Sequence, residues 1–551
     1  MSKIILSALT IALVTAFTNA YPESDIDNLR KLMTDQFSTD RHHITNPDGK
    51  MAAQIFLYET FRSYGLQTWA WQFRTENEQY PGTNVGALWP GRNTGTGMDR
   101  PVFLTAHVDT YKGRPGRDDN GSGMAAVVES ARLISSQTCV QDHTIFFLVF
   151  DFEERKSDSP CTTGACGSWE FSSYVKTYFE LIGGDISKWG GVIVLDAVLN
   201  YNNTEMAQRL MNETVFKETP GLGEVYEHVK ADQYRGNFIT AVYRPDGDSS
   251  LHDTFTKKWS ESPDALQIRL ESPVIPHKNI TSIIENRSSP FWSVYEYIIL
   301  HDVYSFWKGI EDMPAILVSD TGFLRGREKD WYRCGPNDNM ELTRDRLLLL
   351  KKVTDVSTAV IRDKAGTREQ CRDPTAEAPK DFKDGLELYG ELTMGPSDTH
   401  PYTLRISSFA SSGIVHANMS NSTWSKSLEG RYDGDTHRLL LRFMSTTEVE
   451  ETILCGMSGN LDELFDGVLY SGQLTGLCDV SGPLPIPEYI TFVLYSKQGA
   501  TGGGPSLALP VILSLVSGVF VTAVATWCIY KRKTRDQELR TPILSKGPQS
   551  P

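Results

Sequence analysis

"VFLTAHVDTYKGRPGRDDNGSG", residues 102–123, begins as an unbroken apolar run, turns polar at His107 and ends in a glycine-rich turn. The next stretch, "SGMAAVVESARLISS" (122–136), spaces its apolar residues as one face of a helix requires. Strand, polar loop, then helix is half of a βαβ unit. Its loop carries an imidazole and three carboxylates: His107, Asp109, Asp118 and Asp119.

The arrangement recurs downstream. "HTIFFLVFDFEE" (143–154), "WGGVIVLDAV" (189–198) and "MPAILVSDTG" (313–322) are each an apolar run closed by an acid. Continuous apolar runs suit parallel strands buried on both faces. Upstream, "DNLRKLMTDQF" and "KMAAQIFLYETFRSYG" read as helices, the second stopping at Gly65. "TNVGALWPG" reads as a strand. The expected fold is α/β, a three-layer αβα domain with a mixed, mainly parallel sheet over residues 21–370. Acids at strand carboxyl ends place a site along that edge.

Singly, each motif has an ordinary explanation: His-x-Asp is common surface polarity, and Asp-Asp-Asn-Gly is a common turn. Jointly, His107, Asp119, the pair Glu153–Glu154 and Asp196 all fall at or just after strand ends that a parallel sheet would gather. Catalytic zinc takes His nitrogen and carboxylate oxygen. A pair of zincs about 3.5–4 Å apart needs a bridging carboxylate. Of two adjacent glutamates, one can bind metal while the other serves as general base.

"AHVDT", "RDDNGSGMAAVVESARLI", "FFLVFDFEE" and "GGVIVLDAV" together resemble the co-catalytic zinc aminopeptidases of clan MH. That group also holds glutamate carboxypeptidase, glutaminyl cyclase and the non-catalytic nicastrin and transferrin receptor. The resemblance runs from "MAAQIFLYETFRSYGL" to about residue 360. It implies that His107 and Asp196 bind a first zinc, Asp119 bridges, Glu154 binds the second and Glu153 is the general base. Asp109 would orient His107 from behind, and Asp302 in "LHDVYSF" matches a Ser-Asp-His-x-x-Phe segment, although Val303 stands where the His would be. The implied substrates are peptide or protein N-termini; the residues that recognise the side chain at the cleaved end are not indicated.

Two departures follow. The family's last ligand, a His after Tyr, is here Arg333 in "DWYRCGPNDN". Arginine stays protonated and cannot ligate. One firmly held zinc and a weakened second site are therefore expected, with Cys334 or His301 as possible substitutes. The second is an insertion, "RKSDSPCTTGAC", between Glu154 and Gly167. A non-catalytic ectodomain of the nicastrin or transferrin-receptor type is the alternative reading, and a glutaminyl cyclase the third.

The ends of the chain address it to a membrane. Residues 1–20 have the layout of a signal peptide. After a linker at 499–505, residues 506–530 form an uncharged run long enough to span a bilayer, followed by Lys531-Arg532-Lys533 and a tail to 551. A single-pass type I protein of the plasma membrane or an endomembrane is expected, its N-terminal domains extracellular or lumenal. Sequons at Asn202, Asn212, Asn279, Asn286, Asn418 and Asn421 suit glycosylation there, whereas Asn120, inside the motif turn, is expected bare. Cysteines near one another in sequence are Cys161 with Cys166, Cys334 with Cys371 and Cys455 with Cys478, which would leave Cys139 free, although sequence does not set the connectivity. Residues 380–498 alternate apolar and polar, as a β-sandwich would. The net charge of −15 argues against nucleic acid as a partner.

Overall fold

The computed structural model describes residues 23–496 except 76–79, 95–96, 137–140, 155–160, 162–164, 182–183, 211, 277–279, 281–285, 300, 311–312, 326–337, 368–377, 395–398, 411–412, 423–424, 434–436, 444–453, 465–466 and 478–489. Helices α1 (Ile26–Lys31) and α2 (Pro47–Ser63) lead into strands β1 (Gln67–Arg74), β2 (Pro81–Trp89) and β3 (Val102–His107). Then come α3 (Gly123–Ser135), β4 (Ile145–Phe150), α4 (Cys166–Leu181) and β5 (Gly191–Leu195). Helices α5 (Glu213–Glu218) and α6 (Gly223–Ala231) precede β6 (Phe238–Val242), α7 (Pro245–Glu261) and β7 (Arg269–Glu271). Helices α8 (Trp292–Ile299) and α9 (Val303–Gly309), strand β8 (Ala315–Ser319) and helix α10 (Arg344–Lys364) complete the α/β part.

Helix boundaries follow the local signals. Asn46 caps α2 by accepting from the Gly49 N–H, and Pro47 sits at its first turn, where no N–H is needed. Past its end, Gly65 takes φ +82°, a left-handed conformation that glycine adopts without a Cβ penalty.

The sheet runs β1-β2-β4-β3-β5-β8-β6-β7. Its centre, β4-β3-β5-β8, is parallel, while β1–β2, β2–β4 and β6–β8 are antiparallel. Side chains alternate across it. Leu104, Phe147 and Ile193 pack towards α1, α2, α3 and α10; Phe103, Phe146, Leu148 and Val192 pack towards α4 and α9. Burying both faces, at roughly 1.5–3 kcal/mol per large side chain, explains why these strands read as unbroken apolar runs.

The C-terminal strands differ from the expectation. β9 (Glu387–Met394) to β16 (Ile490–Ser496) form a closed antiparallel barrel in which β16 pairs back onto β9, not a sandwich. Leu404, Ile406, Val415, Leu428 and Leu441 fill its interior. Arg431, on β12 (Ser425–Asp433), donates to the Ser135 carbonyl at 3.3 Å and lies over the Trp89 ring, tying barrel to α/β domain. No helix among the described residues is long and apolar enough to cross a membrane. The signal segment 1–20, the span 506–530, Cys139, Arg333, Cys334, Cys371, Cys478 and Asn279 lie outside the described residues.

Candidate metal centre

Three neighbouring parallel strands build the site from their carboxyl ends. Thr105 pairs with Val194 and His107 with Phe150, so continuing those ladders brings Asp196 and the residues after Phe150 level with His107. β3 sits between β4 and β5, where the chain order reverses, the place open α/β sheets use for ligands.

His107 is almost wholly buried. Its Nδ1 lies 3.1 Å from the Asp109 carbonyl, which can only accept, so Nδ1 carries the hydrogen. Nε2 makes no hydrogen bond of good geometry. It faces Asp119 Oδ1 at 3.2 Å, Asp196 Oδ1 at 3.5 Å and Glu153 Oε2 at 4.0 Å. One donor atom each from His107, Glu153 and Asp196 fall within 4.8 Å of one another. A buried imidazole nitrogen aimed without a partner at three carboxylates fits a cation such as zinc.

The electrostatics agree. Burial alone would lower the His107 pKa, but Asp196, Asp109 and Asp119 raise it well above its ordinary value. Burial, with Asp119 and Glu153 facing it, pushes the half-buried Glu154 carboxyl well up. Against the burial of Asp196, the imidazoles of His301 and His107 hold its carboxyl below the usual range.

Asp109 does more than orient a ring. Its carbonyl holds the imidazole, while its carboxylate accepts the N–H groups of Glu153 at 3.1 Å and Glu154 at 3.0 Å. Despite burial it is held down to about 2, chiefly by His107. One residue thus fixes the His107 and Glu153–Glu154 loops together.

Other supports were not evident in the sequence. Asp338 accepts from the backbone N–H of Asp118 and of Asp119, at 3.0 and 2.9 Å, fixing the turn that carries Asp119. Buried Arg41 spreads its guanidinium over the carbonyls of Val108, Thr39, Pro115 and Gly116. Asp151 is gripped by Lys50 and by the Thr83 N–H. It stands just before Phe152, whose φ of +61° is unusual for a bulky residue and turns the chain into Glu153. Ala197, after Asp196, takes φ +55°.

His301 enters the site as well, its Nδ1 2.6 Å from Asp196 Oδ2 and 3.4 Å from Glu153 Oε1. Asp302 is buried with neither carboxyl oxygen hydrogen-bonded, and burial pushes it well above the usual carboxylate range. The Cys161–Cys166 disulfide forms as expected and packs on Phe152, whose carbonyl accepts from the Cys166 N–H. Of the sequon residues, Asn212 and Asn286 are exposed, and Asn202, Asn418 and Asn421 partly so. Asn120 is fully buried and donates to the Leu195 carbonyl, as suits an unmodified side chain.

Residues 84–253, from β2 into α7, match the family described as Peptidase family M28. Among solved structures the chain is similar to the Legionella pneumophila LapA aminopeptidase, with 18% identity over 62% of this chain and 72% of that one and a TM-score of 0.40. It is also similar to Porphyromonas gingivalis glutaminyl cyclase, with 16% identity over 62% and 98% and a TM-score of 0.39. A third is the aminopeptidase of Aneurinibacillus sp. strain AM-1, with 12% identity over 62% and 94% and a TM-score of 0.40. The search of curated proteins finds no match. Residues 84–253, which contain His107, Asp119, Glu153, Glu154 and Asp196, thus carry the match to peptidase family M28, of clan MH.

Proposed function

We propose that the chain is a membrane-anchored, extracellular zinc exopeptidase that hydrolyses the N-terminal peptide bond of peptides or proteins. The observation that carries this reading is the buried, unpartnered Nε2 of His107 facing Asp119, Asp196 and Glu153. His107, Asp119, Glu154 and Asp196 would hold the metal, one zinc firmly. Zinc there supplies Lewis acidity, polarising a peptide carbonyl and lowering the pKa of water. Glu153 takes the proton from the attacking water and returns it to the departing amine. Asp109, bonded to the Glu153 and Glu154 N–H groups, keeps the base beside His107. The closeness of Glu153 to His107 and Asp196 suits a base, which must reach the same water the ligands surround. The anchor at 506–530, the signal at 1–20 and the sequons support the placement outside the cell.

Arg333, standing where the family has its last His, favours a second reading: an inactive cleft that binds a partner. Zinc content and aminopeptide hydrolysis of the purified chain separate the two. The peptidase reading expects zinc, hydrolysis, and a Glu153→Gln variant that loses hydrolysis while keeping its zinc. A metal-free, inactive chain leaves the partner-binding reading. Zinc loss in Glu153→Gln but not in Glu154→Gln would exchange the two glutamates' roles.

A further inference from the structure

We propose that His301 is a ligand of the metal centre, its Nδ1 supplying the second imidazole that the sequence lacks at position 333. This rests on the reading of the cleft as a zinc site.

His301 stands between α8 and α9, far along the chain from the three ligand loops, yet its ring enters the carboxylate cluster. Its Nε2 lies 3.0 Å from the Tyr297 carbonyl. A carbonyl only accepts, so Nε2 carries the hydrogen and Nδ1 is the atom left to bind. The Tyr297 hydroxyl donates in turn to the Thr321 carbonyl at 2.8 Å, fixing the residue that orients the ring. Nδ1 points at Asp196 Oδ2, 2.6 Å away, and at Glu153 Oε1, 3.4 Å away.

His107 is arranged the same way, with Nδ1–H on the Asp109 carbonyl and Nε2 towards Asp196 Oδ1. Asp196 therefore lies between two imidazoles that are both held from behind by a backbone carbonyl. Donation of the second ring N–H to a carbonyl or carboxylate is the habit of metal-binding histidines, because it fixes tautomer and orientation. With zinc–ligand bonds of about 2 Å, donors sharing an ion sit roughly 3–3.5 Å apart. The 3.5 Å from His107 to Asp196 has that spacing, while His301 Nδ1 and Asp196 Oδ2, in direct contact at 2.6 Å, would move apart by about 0.5–1 Å to admit the ion. Two imidazoles and a set of carboxylates are a donor set that zinc accepts without the residue at 333.

The test is zinc affinity of the full chain, measured by chelator competition on the parent and on His301→Ala, His301→Asn and His107→Ala. The thermal midpoint of each metal-free form serves as the folding control. Loss of a residue that merely supports a ligand weakens metal binding about 10–100-fold, so loss of a ligand should reach at least the upper end. Both His301 variants are expected to bind zinc ~100-fold more weakly while melting with the parent. Parent-like affinity in either folded His301 variant, with affinity lost in His107→Ala, would overturn the proposal and leave the zinc reading intact. Failure of the parent itself to bind zinc would remove the reading beneath it.

Discussion

Replacing Asp338 with Ala should loosen the turn that carries Asp119, and the size of the effect can be worked from its bonds. Its carboxylate receives the backbone N–H of Asp118 through both oxygens at 3.0 Å, and that of Asp119 at 2.9 Å. Alanine leaves both donors without a partner in a buried turn, at about 1–3 kcal/mol each, hence about 2–6 kcal/mol together. Part of this is offset. Asp338 is buried, and burial first, with Asp119 nearby, pushes its carboxyl up to about 7, so its removal relieves an unfavourable charge. The lower half of the range, about 2–4 kcal/mol, is the expected net loss, a large share of the roughly 5–15 kcal/mol that holds a domain folded. Asp338→Asn keeps one acceptor and should lose about half as much. Urea unfolding of the metal-free chain measures both, and zinc affinity should fall in the same order. An Asp338→Ala chain within about 0.5 kcal/mol of its parent would refute the claim that this carboxylate holds the loop.

Gly116→Ala should act on the same loop from its other side. Glycine there has φ +58°, and a Cβ would stand 2.6 Å from the Asp119 carbonyl oxygen and 2.9 Å from Arg41 Nη2, so lower stability and weaker zinc binding are expected together. Unchanged melting and affinity would show that the turn adapts. His252, far from the metal centre, is stacked on Tyr243 with ring centroids 3.7 Å apart, and burial lowers its pKa below 6.5 although Asp253 opposes the shift. Below pH 6.5 the unfolded chain then binds the proton more readily, so the stability His252 contributes is present above pH 6.5 and lost as pH falls. His252→Gln should flatten that acid limb in urea titrations from pH 7 to pH 5, and an identical limb would exclude His252 as its source. Chelation should lower the thermal midpoint, because zinc at a hundred times its Kd stabilises by about 2.7 kcal/mol; a midpoint indifferent to chelator and to added zinc speaks against a folded-state site.

What could be read from the sequence was local. The strands β3, β4 and β5 announced themselves because burial on both faces demands unbroken apolar runs, and the acids closing those runs marked the functional edge. Barrel closure was hidden because period-two alternation is common to sandwiches and barrels. What distinguishes them is the pairing of β9 with β16, such as Tyr389 with Tyr495, about a hundred residues apart. Strands such as β12, "SKSLEGRYD", and β15 (Gly467–Leu477), "GVLYSGQLTGL", carry too much glycine and polarity to alternate cleanly. In the site, His107, Asp119, Glu153, Glu154 and Asp196 could be singled out because they close or follow three apolar strands, β3, β4 and β5. The supporting bonds of Asp338, Arg41 and the Lys50–Asp151 pair could not be, since their partners come from elements distant along the chain. His301 could be named but not placed.

The way the acids divide argues most strongly for a cation. The supporting acids have their bonds from the protein: Asp109 from two N–H groups, Asp338 from two more, Asp151 from Lys50 and Thr83. The inner acids, Asp119, Glu153 and Asp196, face His107, and Asp196 and Glu153 also face His301. A fold that merely tolerated an acidic edge would leave those groups to water or pair each with Lys or Arg. Two of the buried cations, Lys50 and Arg41, stand instead one step behind the cleft, where they brace the loops. The inner carboxylates are therefore held close to one another by a framework that is itself satisfied. Such crowding is stable only when a positive charge is shared among them, and two imidazoles already oriented by backbone carbonyls are the partners that a zinc ion would share with them.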